Sequence, residues 1–215
     1  MSIRHVIWDF NGTLLDDVDC CVDSLNTLLA ERALPALSRS DYLTRFGFPV
    51  RDFYLALGFD FAREEFDRVS ATFIARYQAR LHRAAAHAGA HDALQAIERC
   101  GVPQSVVSAM ELTLLRTLLQ RFELHAYMTH VRGLDHLNAS SKIDLGLALQ
   151  RELALDPSEI LLVGDTLHDH ELAEALGCHC LLYVQGHQTA ERLTASGVPL
   201  IDSLADVARF VGTRA

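Results

Sequence analysis

The stretch WDFNGTLLDD, residues Trp8–Asp17, decides how the fold of this chain is interpreted. Asn11-Gly12 between apolar neighbours is typical of a two-residue β-hairpin turn, because both residue types tolerate positive φ. A carboxylate followed by Asn-Gly-Thr at the end of an apolar strand is equally typical of a loop that handles phosphate, with Asp9 at its tip. The following residues have helical periodicity and do not pair back as a strand, so the sequence favours the loop, with a short flap-like turn as the remaining alternative.

Short apolar segments bounded by turn residues indicate buried strands, and helical patterns lie between the later ones. The predicted strands are Ile3–Trp8, Ser105–Val107, Tyr127–Val131, Ile160–Val163 and Leu181–Val184. The predicted helices are Glu111–Phe122, Lys142–Leu153 with Ser140 or Ser141 as its cap, Asp169–Leu176 ended by Gly177, and Ser203–Val211. Because strands and helices alternate, we expect a parallel sheet.

Residues 16–83 interrupt this alternation, because they contain helical periodicity only. The second long helix of this region is predicted from about Ala62 to Leu81, and three or four helices joined by tight loops account for the whole. We therefore expect an α/β fold with a Rossmann-like parallel sheet core, residues 1–15 and 84–215, and an inserted helical cap domain, residues 16–83. Such an insert lies over the carboxyl ends of the strands, where open α/β sheets bind ligands.

Composition excludes several classes of protein. The 28 Asp and Glu residues against 19 Lys and Arg disfavour nucleic acid as a partner, which is normally held by a basic patch. No apolar run is long enough to cross a bilayer, and residues 1–9 lack the apolar region and cleavage site of a signal peptide. A cytoplasmic enzyme with no membrane partner is therefore expected.

The 5 cysteines are scattered and odd in number, which disfavours a disulfide framework in a chain of this size. Cys178-His179-Cys180 has the composition of a metal site. It begins a predicted buried strand, however, and has no second cysteine pair, so core packing is favoured over zinc binding.

Lys142 is distinctive because every other basic residue among the 19 is arginine. Lysine is a compact, rotatable point charge that approaches a phosphate or carboxylate end-on in a confined space, whereas arginine is a planar fork. Lys142 is therefore a candidate site residue, although a solitary surface lysine explains the same observation.

Polar residues follow several predicted strands at the same edge of the sheet. Asp9 follows the first strand, Ser108 the second, and Asp165 with Asp169 the fourth, while Lys142 begins the helix that leads to the fourth. These strands can be neighbours in a doubly wound sheet, so the residues should converge on one crevice. Three acids, a hydroxyl and an ammonium at one point indicate a site for a divalent cation and a phosphate.

The chemistry of these residues fits such a site. Mg²⁺ prefers carboxylate oxygens, so Asp9 and Asp165 fit as direct ligands and Asp169 as a water-mediated or orienting one. A carboxylate also acts as a nucleophile towards phosphorus, and Asp9 would then form an aspartyl-phosphate that water later opens. Gly12 has no Cβ, which lets the backbone approach the phosphate closely.

Four segments resemble, in order and spacing, the signature motifs of the haloacid dehalogenase-like hydrolases, and of their phosphoglycolate phosphatase-like branch in particular. The segments are WDFNGTLLDD, VVSA, Lys142 in SSKIDLGLAL, and ILLVGDTLHD. The match spans Asp9 to Asp169, and the helical insert resembles the cap domain of that family. The resemblance implies a Mg²⁺-dependent phosphatase that hydrolyses a small phosphorylated metabolite, such as phosphoglycolate, through Asp9.

The resemblance also implies roles for individual residues. The implied catalytic residues are Asp9 as nucleophile, Asn11 and Lys142. The implied metal ligands are Asp9, the Asn11 carbonyl, Asp165 and Asp169. The residues implied to bind phosphate are Asn11, Gly12, Ser108, Ala109 and Lys142.

Asn11 departs from the pattern, because most phosphatases of the family have a second Asp there that serves as general acid and base. An amide neither gives nor takes a proton at neutral pH, and this step is worth roughly a hundred- to ten-thousand-fold in rate. His168 could carry the proton instead, or a water or the substrate's own acid group could do so. A third account is a protein that binds phosphate with little turnover. The other motif residues are all present, which favours a working hydrolase.

Substrate choice should lie with the helical insert, in the stretch TRFGFPVRDF, residues 44–53. Phe46 and Phe48 could form an apolar wall there, and Arg45 or Arg51 could pair with a substrate carboxylate or second phosphate. As helix-face residues in a small bundle, the same side chains would have no special role. The sequence is compatible with a monomer or a homodimer.

Overall fold

A parallel β-sheet forms the centre of the protein in a computed structural model that describes residues 2–135 and 141–212. The strands are β1 His5–Trp8, β2 Leu15–Asp16, β3 Ala85–Ala86, β4 Gln104–Glu111, β5 Met128–Leu134, β6 Ile160–Gly164, β7 His179–Tyr183 and β8 Leu200–Ile201. Six of them form one parallel sheet in the order β5-β4-β1-β6-β7-β8, and β2 pairs antiparallel with β3. The predicted α/β class with a parallel sheet is confirmed.

The predicted helices are present, and most of them differ from the prediction at their ends. Two further helices of the core, Ala90–Arg99 and Ala190–Leu193, have no counterpart among the predicted ones. The observed helices are α1 Val18–Glu31, α2 Arg39–Arg45, α3 Val50–Ala56, α4 Phe66–Arg80, α5 Ala90–Arg99, α6 Leu112–Arg121, α7 Lys142–Leu153, α8 Leu167–Leu176, α9 Ala190–Leu193 and α10 Ala205–Gly212. Ser141 caps α7, since its Oγ accepts the Asp144 N–H at 3.1 Å; Ser140 lies outside the described residues. None of the described helices is long and apolar enough to span a bilayer.

Apolar side chains cover both faces of the sheet, which explains why its strands are apolar runs without alternation. All four residues of β1 are buried, as are all five of β6. Cys180 is buried in the core against α7 and α8, and Cys178 packs beside it, as core packing predicts. β1 lies between β4 and β6, so the carboxyl ends of these three strands adjoin.

The turn after β1 is not a hairpin. The Leu15 N–H donates to the Phe10 carbonyl at 2.8 Å, which closes a tight turn over Asn11-Gly12, but the next strand, β2, pairs with β3 and not with β1. The flap-like alternative therefore describes this segment. It leads the chain from the sheet edge into the helical segment and back.

Helices α1 to α4 lie between β2 and β3, and we call residues 18–80 the helical insert. The observed α4 begins at Phe66 and not near Ala62, because residues 60–64 form a turn in which Ala62 N–H donates to the Asp60 carboxylate. α1 packs along α4, and aromatic residues of the insert stack on one another, among them Tyr54 of α3 on Phe59, which follows that helix. The insert thus has an apolar interior of its own.

Candidate active site

Asp9 lies at the carboxyl end of β1 in a buried cluster of charges. Lys142, the first residue of α7, donates from Nζ to Asp9 Oδ1 and to Asp169 Oδ1, the latter at 2.6 Å. All three side chains are at least nine-tenths buried. The lysine that composition singled out is therefore a buried partner of two carboxylates and not a surface residue.

Burial and charge act against each other on the pKa values of this cluster. Burial raises the pKa of Asp9 to about 6, with Lys142 opposing and Asp169 adding to the shift. Burial would likewise raise the pKa of Asp169, but the Lys142 ammonium and hydrogen bonds from Thr166 hold it below its usual value. Burial disfavours the charged form of Lys142, yet Asp169 and Asp9 together raise its pKa. The ammonium is therefore fixed in its charged form.

Asp165 follows β6 and faces Asp9 across the edge of the sheet. Its Oδ1 accepts the Thr13 hydroxyl at 2.9 Å, and its Oδ2 accepts the His187 N–H at 2.6 Å. A Cβ on Gly12 or on Gly186 would come within 2.3 and 2.2 Å of Asp165 Oδ2. Both glycines are therefore needed for the backbone to pass so close to this carboxylate.

Three carboxylates form a candidate metal site. Oxygens of Asp9, Asp165 and Asp169 lie within 4.8 Å of one another, and all three groups are buried. Burial raises the pKa of Asp165 well above its usual value, and repulsion from Asp9 and Asp169 raises it further. A hard divalent cation bound by carboxylate oxygens would relieve that repulsion, so this donor set fits Mg²⁺.

The residues expected to bind phosphate lie near this cluster, and all but one of them line the cavity above it. Asn11, Ser108 and Ala109 line the same cavity as Asp9 and Lys142. Ser108 lies within β4 and not after it, at a point where the pairing with β5 is irregular, and its Oγ donates to Asn11 Oδ1 at 3.2 Å.

Gly12 is the exception, because it does not line the cavity. Its N–H donates to the Leu15 carbonyl at 2.8 Å and to Asp17 Oδ1 at 3.0 Å. In this structure Gly12 packs against Asp165, and its contact with phosphate stays a prediction.

A buried hydrogen-bond network surrounds Asp17, and the sequence did not predict it. Asp17 Oδ2 accepts the Asn11 amide at 2.9 Å and the Tyr77 hydroxyl at 2.5 Å, and Oδ1 lies 3.1 Å from His187 Nε2. Tyr42 contacts the other ring nitrogen of His187 at 2.9 Å. The network joins the loop after β7 to helices α2 and α4. Its only sequence signals are the last acid of WDFNGTLLDD and a polar loop after a buried strand.

His187 is cationic in this network. Burial disfavours the charged ring, but the Asp17 carboxylate outweighs it and raises the pKa of His187 to about 9. The pKa of Asp17 is below its usual value, because His187, Tyr77 and Asn11 together outweigh the effect of burial. The pair is therefore an internal ion pair, and it leaves no net positive charge for a ligand.

In the stretch TRFGFPVRDF, the two candidate phenylalanines face the cavity and the two candidate arginines do not. Phe46 and Phe48 line the cavity, and Phe48 stacks on His168 with 4.5 Å between ring centroids. Arg45 donates to the Ala56 carbonyl at 2.6 Å, and the Arg51 guanidinium lies over the ring of Phe61. Neither arginine lines the cavity, so this arrangement does not support the expectation that they pair with a substrate anion.

The cavity lies between the sheet edge and the helical insert and has a volume of about 430 Å³. The acids and Lys142 form its floor, and α1, α3 and α4 supply most of its walls. Pockets of about 300–1,000 Å³ are the usual size for binding a small organic molecule. His168 also lines the cavity, and its Nδ1 lies 2.8 Å from the Glu171 carboxylate.

Comparison with known proteins decides the family. The family model described as haloacid dehalogenase-like hydrolase matches residues 6–183. The chain belongs to the haloacid dehalogenase-like hydrolases. The match includes all four motifs, so the predicted family membership is confirmed.

Several known proteins are similar to this chain over most of its length. An N-acetylmuramic acid 6-phosphate phosphatase of Pseudomonas putida is 29% identical, covering 82% of this chain and 81% of that protein. The phosphoglycolate phosphatase of Escherichia coli K12 is 23% identical, covering 98% and 93%. A haloacid dehalogenase-like hydrolase of Streptococcus pneumoniae has the same fold, with a TM-score of 0.84, 16% identity and coverage of 97% and 98%.

Proposed function

We propose that this haloacid dehalogenase-like hydrolase is a Mg²⁺-dependent phosphatase of small phosphate monoesters. The observation that carries the proposal is the position of Asp9, a buried carboxylate at the floor of a cavity, in contact with Lys142 and facing Asp165 and Asp169. The named relatives in Pseudomonas putida and Escherichia coli are phosphatases, which supports the same reaction class. Residues 16–83, which include the helical insert, then act as the cap domain over a core of residues 1–15 and 84–215.

In the proposed reaction, an Asp9 oxygen attacks phosphorus and the bond from phosphorus to the ester oxygen breaks. Water then attacks the aspartyl-phosphate, releases phosphate and restores Asp9. Lys142 and the Ser108 hydroxyl hold the non-bridging oxygens, and the buried position of Asp9 excludes bulk water from the nucleophile. Mg²⁺, bound by Asp9, Asp165 and the Asn11 carbonyl with Asp169 in support, would supply the remaining positive charge.

The proton for the departing alcohol is not provided by Asn11, whose amide nitrogen donates to Asp17 and Tyr77. His168 lines the cavity with Nδ1 towards Glu171, so Nε2 carries a proton for the alcohol when the ring is doubly protonated. A substrate-bound water is the other route. We propose that the leaving alcohol is protonated by one of these two, at a modest rate.

The metal dependence is tested by phosphate release. We expect the purified chain to hydrolyse at least one member of a panel of phosphate monoesters with Mg²⁺ present, to lose that activity on treatment with EDTA, and to regain it when Mg²⁺ is added back. Equal turnover with and without the metal would contradict the metal site. No turnover of any member would favour the second candidate, a phosphate-binding protein without catalysis; the observation behind that candidate is the amide of Asn11 in place of an acid.

Asn11→Asp should raise kcat by roughly a hundredfold, within the range usual for general acid catalysis. The introduced carboxyl would lie against Asp17, whose charge raises its pKa, so it would retain a proton to donate at neutral pH. Steady-state kinetics on the best substrate gives the measurement. Asn26→Asp is the matched control, because Asn26 hydrogen-bonds Leu37 within the insert and does not line the cavity. An unchanged kcat for Asn11→Asp would show that another group already carries the proton, and His168→Ala then identifies it.

A further inference from the structure

The cavity above Asp9 has a marked imbalance between its floor and its walls. The charged groups described in its lining lie on or near the sheet edge, whereas the helical insert contributes uncharged side chains, most of them aromatic or aliphatic. The apolar lining from the insert includes Leu25, Val50, Phe53, Phe66, Phe73 and Ile74. From the core, Met110 and Leu114 complete the same surface.

The arginines of the insert are directed elsewhere. Arg32 forms an ion pair with Glu64 and Arg76 forms one with Glu31, both away from the cavity. Arg45 donates to the Ala56 carbonyl, and the Arg51 guanidinium lies over the ring of Phe61. Across residues 2–135 and 141–212, Lys142 is the only lysine or arginine that lines the cavity, and Asp9 with Asp169 already surrounds it.

Apart from Lys142 and the ion pair of His187 with Asp17, the charged groups described in the cavity lining are carboxylates. Asp17 and Glu111 line the cavity in addition to the three acids of the metal cluster, and His187 is paired with Asp17. The three acids of the metal cluster would balance a bound Mg²⁺, and the phosphate of the substrate would face that ion and Lys142. A second anionic group on the substrate, such as the carboxylate of phosphoglycolate, would find no cation among the described cavity residues and would face these acids.

The polar groups on the insert side of the cavity are neutral. Ser70 and Gln78 on α4 both line it, and Ser70 Oγ is buried without a hydrogen-bond partner among the described residues. A hydroxyl and an amide can accept a neutral polar atom of a ligand but cannot balance a charge. The volume of about 430 Å³ also exceeds what a two-carbon acid needs.

We infer that the preferred substrate is the phosphate monoester of an uncharged, largely apolar alcohol of about six or more carbon atoms, whose hydrocarbon part lies against the helical insert. This inference rests on the proposed phosphatase function. It gives the helical insert a definite role, since burial of the hydrocarbon selects the substrate while the sheet edge carries out the chemistry. It also separates this chain from its named relatives, one of which is a phosphoglycolate phosphatase.

A series of alkyl phosphates tests the inference, because the leaving groups have nearly equal chemical reactivity. From ethyl to hexyl phosphate, kcat/KM should rise about fourfold for each added methylene that is buried. Two substrates carry a carboxylate: phosphoglycolate, and an analogue of hexyl phosphate whose far end is a carboxylate. For both we expect kcat/KM to be at least about a hundredfold lower than for hexyl phosphate. A flat alkyl series, or faster turnover of either carboxylate substrate, would overturn the inference while leaving the phosphatase proposal intact.

Ile74→Lys tests the wall directly. Ile74 is 51% exposed at the edge of the cavity, so a lysine there should fold and place a cation beside the ligand. We expect the ratio of kcat/KM for hexyl phosphate to that for its carboxylate analogue to fall about a hundredfold. Leu55→Lys is the matched control, since Leu55 is 43% exposed on α3 and does not line the cavity, and it should leave the ratio unchanged. An unchanged ratio in Ile74→Lys would contradict the assignment of this wall.

Binding separates a failure of this inference from a failure of the proposed function. Calorimetry of the alkyl series with the Asp9→Asn variant and Mg²⁺ needs no turnover. A Kd that falls about fourfold per methylene would support the apolar ligand even if no substrate were hydrolysed, and the phosphatase proposal alone would then fail. A Kd independent of chain length would overturn the inference whatever the turnover.

Discussion

Asp9→Asn should abolish phosphate release, with a loss in kcat of about 10⁴- to 10⁶-fold, the range found when a nucleophile is removed from an enzyme. The amide keeps the size and position of the carboxyl at the end of β1 but cannot form an acyl-phosphate. It also removes one of the two carboxylates that hold Lys142, so Asp169 becomes the main partner of the ammonium.

The control for this variant is Asp16→Asn, seven residues further along the same segment. Asp16 is exposed on β2 and does not line the cavity, so its loss should change kcat by less than about twofold. Thermal unfolding should show that both variants are folded. Turnover by Asp9→Asn within tenfold of the native chain would contradict the assignment of the nucleophile.

Lys142→Met should impair both stability and catalysis. Asp9, Asp165 and Asp169 would then share a buried site without their ammonium partner, and removing one partner of a buried ion pair costs about 3–5 kcal/mol. Loss of a donor to the phosphate oxygens should lower kcat by a further factor of about 10² to 10³. Urea unfolding with and without Mg²⁺ measures the first effect, because a bound divalent cation replaces part of the missing charge.

Lys142→Arg separates charge from shape. The guanidinium keeps the charge, but it is planar and larger than the space between Asp9 and Asp169 that Nζ occupies. We expect it to restore much of the stability and little of the activity. Arg151→Lys, an exposed change on the same helix, is the reverse control and should affect neither. Full activity in Lys142→Arg would show that any cation suffices at this position.

The positions of Asp9, Ser108, Lys142 and Asp165 could be predicted because they depend on a simple rule. Asp9 and Asp165 each follow a buried apolar strand, and Ser108 lies in the second half of β4. Lys142 begins the helix that leads to β6. In a parallel sheet the carboxyl ends of neighbouring strands adjoin. The alternation of strands and helices therefore predicts that they converge. Their catalytic roles remain predictions, to be decided by the variants above.

Sequence patterns do not predict the contacts of residues whose position depends on tertiary packing. Asp17 and His187 are 170 residues apart, and neither has a local pattern that announces their contact. Arg45 and Arg51 were expected in the cavity from the composition of their loop, but composition does not determine which way a side chain points. The sequence predicts that the strand ends before Ser108, whereas β4 continues to Glu111. The irregular pairing in this part of β4 has no simple sequence signature, so its end could not be predicted.

Trapping the phosphoryl group tests the central claim most directly. The native chain is mixed with Mg²⁺ and its best substrate, quenched in acid within one turnover, and digested for mass spectrometry. We predict one added phosphoryl group on the peptide that contains Asp9, which disappears when quenching is delayed and is absent from Asp9→Asn. Turnover in the native chain with no phosphorylated Asp9 at any quench time, or with the phosphoryl group on another residue, would contradict the claim.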